Sequence, residues 1–162
     1  MMGLSALGLF HTLVSLVALV CGFIALGRDK EISPRNRVGQ TYLVATLITA
    51  ATALGIFRHG GFGPPHVLAL LTLGALAVGT AAAYSTLFGG WSRYVQVASY
   101  SATFLFHLIP GFTETLTRFP VGAPIAASAE APILQGISAV LLVLFLAGVT
   151  AQIVWLRRLQ RR

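Results

Sequence analysis

Five apolar runs divide this chain, each long enough to cross the hydrocarbon core of a bilayer, and most of its charges lie between or beyond them. The runs extend over Gly3 to Gly27, Gly39 to Phe57, Pro65 to Phe88, Arg93 to Leu116 and Pro132 to Leu156. A helix rises ~1.5 Å per residue, so about 20 residues cross a core of ~30 Å. In hydrocarbon the backbone must satisfy its own hydrogen bonds, and such runs therefore fold as helices. The pattern predicts an all-α integral membrane bundle of five transmembrane helices. It forms one domain over residues 1–156, followed by a basic tail over 157–162. Composition agrees, with 56% of the residues hydrophobic and 9% charged, against about 25% charged in an ordinary soluble domain.

The connections are short. RDKEISPRNRV joins the first two runs, RHGGFGPP the next two, and Gly89 and Gly90 separate the third from the fourth. FPVGAPIAASAEA, rich in Pro, Ala and Gly, reads as a surface loop before the last. Pro64 and Pro65, and later Pro132, suit a helix's first turn, where a missing N–H leaves nothing unsatisfied. Nine of the 11 Lys and Arg fall on one side of this alternation: Arg28, Lys30, Arg35, Arg37, Arg93, Arg157, Arg158, Arg161 and Arg162. Arg58 and Arg118 fall on the other. Positive charge marks the cytoplasmic face, which predicts an outer N-terminus and a cytoplasmic C-terminus in a bacterial cytoplasmic (inner) membrane. Trp91, Tyr94 and Trp155 sit near inner helix ends, where interfacial aromatics belong.

The basic loop and tail residues anchor the chain against anionic lipid. The net charge of +7 therefore reflects topology; no basic stripe with interleaved aromatics points to nucleic acid. Cys21 has no partner for a disulfide. The first run lacks a basic leading segment and reads as a retained helix, not a cleaved signal. Rows of small residues at four-residue spacing (Ala18 and Gly22; Ala45, Thr49 and Ala53; Ala75, Gly79 and Ala83) predict close helix contacts.

The costly residues are polar ones inside the spans. On an ideal helix His107, Gly111, Glu114 and Arg118 share a face, and ionisable groups in a span usually face a protein interior or a wet cavity. By helical rise, His11 lies roughly 12 Å and His107 roughly 15 Å below the outer ends of their helices. His59, His66 and Gln135 also fall in the outer half. In one reading, His11 and His107 are ligands for haem b, or for a transition metal completed by His66 or Glu114. In the other, each histidine hydrogen-bonds a neighbouring helix and serves packing alone. Glu114 is either a proton-carrying carboxylate or, as we favour, the partner of Arg118 in a supporting ion pair. Pro110 is expected to loosen the helix near Phe106. No HxxxH, CxxC or HExxH spacing, phosphate loop, nucleophile elbow or catalytic carboxylate pair occurs, so no catalytic residue is assigned.

His11 in an opening helix, RNRVGQTY from Arg35 to Tyr42, and SRYVQVASYSATFLFH leading into TETLTRFPVG together resemble an uncharacterised family of bacterial integral-membrane proteins, a domain of unknown function with about four helices. The resemblance covers the first 120 residues or so and implies a helical membrane fold. That family carries a histidine in a basic motif ahead of the second helix, where this chain has Asn36; the fifth helix and tail would be additions. Three functions are expected from these features. One is a haem or metal carrier in electron transfer or in the assembly of a respiratory or photosynthetic complex. The second is a cofactor-free accessory subunit of a larger membrane complex. The third is a proton-coupled transporter using Glu114.

Overall fold

The computed structural model describes residues 5–56 and 61–161. It contains five α-helices: α1 (Ala6–Asp29), α2 (Arg37–Ala53), α3 (Pro64–Tyr84), α4 (Ser92–Leu116) and α5 (Pro132–Gln160), with a 3-10 turn over Gly89–Trp91. No strand occurs among the described residues. The helices coincide with the five apolar runs to within a few residues. The largest differences, four residues each, are α2, which ends at Ala53, α3, which ends at Tyr84, and α5, which continues to Gln160. Three helices, α1, α3 and α5, are long and apolar enough to cross a membrane. α2 is shorter, at 17 residues, and α4 carries Gln96, Ser101, Thr103 and His107 as buried polar residues.

Local chemistry sets the helix ends. The Ser5 hydroxyl accepts from the Gly8 N–H at 3.1 Å and starts α1. Lys30, at φ 63°, ends it. The Asn36 side-chain oxygen accepts from the Gly39 N–H at 2.8 Å and starts α2, satisfying one of the four donors that a first turn leaves open. α3 opens with Pro64 and Pro65, and its His66 Nδ1 accepts from the Gly63 N–H at 3.2 Å. α4 runs through Pro110 as one helix. α5 ends with Arg157 and Arg158, cations placed favourably at the negative end of the helix dipole.

The chain divides into two compact units, the first ending at Phe104 and the second starting at Leu105. In the first, α1, α2, α3 and the leading half of α4 meet along small residues. A Cβ on Gly22 would lie 2.6 Å from the Phe104 ring and 3.0 Å from that of Tyr42, and one on Gly79 would lie 2.6 Å from the Tyr100 ring. The buried residues of α3 (His66, Ala69, Thr72, Leu76, Gly79, Ala82) form a single row at three- and four-residue spacing. Of the small residues expected at contacts, Ala18, Gly22, Ala45, Thr49 and Gly79 are buried, while Ala53, Ala75 and Ala83 are half-buried.

The α1–α2 connection is not a solvated loop. Glu31, Ile32, Ser33 and Pro34 are all buried. In the second unit the 117–131 connection folds back on the end of α4, with the Ala126 N–H donating to the Leu116 carbonyl at 2.9 Å. Most of that connection is exposed, and α5 buries few residues, among them Leu134, Leu141, Gln152 and Leu156.

Candidate functional site

The polar residues of the first unit gather in three layers. The first is at the end where α1 passes into α2. There the buried Glu31 carboxylate pairs with Arg93 from the first turn of α4. Arg35 donates to the Ala83 carbonyl at 3.4 Å, and the Tyr84 hydroxyl donates to the Pro34 carbonyl at 3.5 Å. The α1–α2 and α3–α4 connections are thus held together at one end. Burial pushes the Glu31 carboxyl above the usual carboxylate range, and the neighbouring Arg93 charge only partly opposes this. The second Glu31 oxygen has no hydrogen-bond partner, nor does the side-chain nitrogen of Gln96, one turn beyond Arg93 on α4.

The middle layer joins α2, α3 and α4. The Tyr42 and Thr103 hydroxyls lie 2.8 Å apart, both fully buried. Thr103 also donates its one proton to the Tyr100 carbonyl at 2.7 Å. Tyr42 is therefore the donor in the pair. Tyr100 in turn lies 3.3 Å from the Thr80 hydroxyl of α3. Gln96, Tyr100, Thr103 and His107 follow one another along one face of α4, which makes it the helix with the most polar buried face.

The third layer holds His11. Its Nδ1 lies 3.0 Å from the Thr52 hydroxyl of α2. Thr52 donates its proton back to the Ile48 carbonyl at 2.8 Å. The His11 Nδ1–H therefore donates to Thr52, which in the neutral ring puts the ligand-forming lone pair on Nε2. His66 is buried beneath the start of α3 and stacks on Phe62 with ring centroids 5.2 Å apart.

The second unit contains His107, which is buried, and the Glu114–Arg118 ion pair, with Glu114 57% exposed. Of the face on which the sequence aligns His107, Gly111, Glu114 and Arg118, only His107 is buried; the other three are half-buried or exposed. Gln135 is exposed and donates to the Glu130 carbonyl at 3.0 Å. His11 and His66 belong to the first unit, His107 and Glu114 to the second. Among the described residues no three His, Cys, Asp or Glu side chains form a group that could hold a metal ion. Arg28 binds Asp29 through two nitrogens at 2.8 Å. Arg35, Arg37, Arg157, Arg158 and Arg161 are exposed, as is Lys30. Arg58, His59 and Arg162 lie outside the described residues.

Glu31, Gln96, Tyr42 and Thr103 were not singled out by the sequence. A signal existed for α4, since positions 96, 100, 103 and 107 are all polar or hydroxyl-bearing at helical spacing. None existed for Glu31, which in sequence is one charge of a charged loop. In comparisons with protein families, curated proteins and solved structures, the chain matches none.

Proposed function

We propose that this is a five-span protein of the bacterial inner membrane, with an outer N-terminus and a cytoplasmic C-terminus, serving as a cofactor-free accessory subunit of a larger membrane complex. The Glu31–Arg93 pair supports counting α2 among the spans. If α1 and α3 crossed and α2 did not, residue 31 and residue 93 would lie on opposite sides of the bilayer and could not meet. On this reading α2 returns across, although at 17 residues it is shorter than α1, α3 and α5 and buries the polar Tyr42, Thr46 and Thr49.

The accessory role rests on how the polar side chains are engaged. Glu31 with Arg93, Tyr42 with Thr103 and His11 with Thr52 each tie one helix or connection to another, which is the work of residues that fix a bundle's packing. The bundle leaves long apolar faces on α1 and α5 for lipid or a partner's helices. Haem is the second reading, favoured by one observation: the bond to Thr52 orients the His11 ring, as the outer partner of a ligating histidine does.

An absorption spectrum and elemental analysis of protein purified from membranes in mild detergent separate the two. The accessory reading expects a colourless, metal-free preparation that elutes with a larger complex. A Soret band lost in His11→Ala or His107→Ala would overturn it in favour of haem.

A further inference from the structure

Between α1 and α2, on the exposed side of the first unit, runs a shallow, open groove of about 370 Å³. Its walls are aliphatic: Val14 and Val17 from α1, with Val44, Ala45 and Ile48 from α2. Toward the α1–α2 connection the lining turns polar at Gln40 and Thr41. Positions 37, 41, 44 and 48 share one face of α2, so Arg37 heads the row that lines the groove.

Arg37 differs from its basic neighbours. Arg28 is neutralised by Asp29, and Arg35 reaches the Ala83 carbonyl. The exposed Arg37 guanidinium has no ion-pair or hydrogen-bond partner among the described residues. It also stands in the first turn of α2, which holds no acidic residue. A cation there is opposed by the positive end of the helix dipole, and an external anion relieves that opposition. An apolar channel headed by an unpaired cation is complementary to a molecule with a hydrocarbon chain and an anionic head. We infer that this groove binds one anionic phospholipid, its acyl chain along Val17, Val44 and Ile48 and its phosphate against Arg37. The inference rests on the membrane reading alone and is independent of the accessory and haem readings.

The test is native mass spectrometry of the detergent-extracted protein with added phosphatidylglycerol or phosphatidylcholine. Phosphatidylglycerol is expected to remain bound under conditions that strip phosphatidylcholine. Arg37→Ala should weaken phosphatidylglycerol retention about fivefold, as for the loss of one cation near a lipid phosphate, and Arg35→Ala should leave it unchanged. Val44→Trp fills the groove from an exposed position and should abolish retention without lowering the melting temperature. Equal retention of the two lipids would overturn the inference. So would equal losses in Arg37→Ala and Arg35→Ala, which would mean general surface attraction, or full retention in Val44→Trp. Failure of the protein to fractionate with membranes is seen before lipid is added, and would overturn the membrane reading instead.

Discussion

Two glycines show how unevenly single residues matter here. A Cβ on Gly39 would lie 1.9 Å from the Ser33 carbonyl oxygen, a backbone atom in the buried connection, whereas one on Gly27 would meet nothing within 4 Å. Gly39→Ala must displace the connection and should destabilise the protein by about 1–3 kcal/mol, the usual range for overpacking. Gly27→Ala should be neutral or stabilising by up to about 1 kcal/mol. Thermal melts in detergent compare them directly.

Glu31 adds a pH dependence. Its carboxyl is raised above its ordinary value of 4.5 by burial, so the folded protein holds the proton more tightly than the unfolded chain. The stability this contributes is complete below pH 4.5 and is lost as pH rises through the raised folded value. Melting temperature should therefore fall from about pH 4.5 upward, and Glu31→Gln should remove that part of the slope. An unchanged slope in the variant would assign the dependence to other groups. Neither feature could be read from the sequence, where Glu31 and Ser33 sit in a run of charges that looks solvated; only the fold of the connection over the first turn of α2 buries them.

Among the elements, α4 carries the most information and was the most incompletely legible. Its length and its start after Gly89 and Gly90 follow from hydropathy and breakers. Its polar face was marked in sequence only by the spacing of positions 96, 100, 103 and 107, and the residues that join it to α2 and α3 are Tyr42, Thr80, Tyr100 and Thr103. Their hydroxyls read as ordinary in sequence and become specific only when they meet. Tyr42→Phe removes the donor to Thr103 from a fully buried pair. The expected cost is about 0.6–1 kcal/mol, as measured for buried and interhelical hydrogen bonds. Thr103→Val also breaks the bond to the Tyr100 carbonyl and should cost more. A double-mutant cycle should return a coupling of about 0.6 kcal/mol, whereas additive losses would mean that the hydroxyls contribute independently.

For the whole molecule the decisive question is how many helices cross. Hydropathy marks five runs in the sequence, yet only α1, α3 and α5 meet the length and apolarity of a span by themselves. α2 has only 17 residues, and part of the polarity that lowers the average of α4 is buried, at Gln96, Ser101, Thr103 and His107. Single cysteines in a Cys21→Ala background separate the alternatives, at the exposed positions Lys30, Gly61, Thr86 and Ser128. Five spans put 30 and 86 on the cytoplasmic side and 61 and 128 outside. Three spans put 30 with 61 and 86 with 128. An impermeant thiol reagent applied to intact cells should therefore label Gly61→Cys and Ser128→Cys, and should reach Lys30→Cys and Thr86→Cys only after the membrane is permeabilised. Lys30→Cys and Thr86→Cys differing in accessibility would contradict the Glu31–Arg93 pairing and the five-span arrangement together, since both require the two connections at one face.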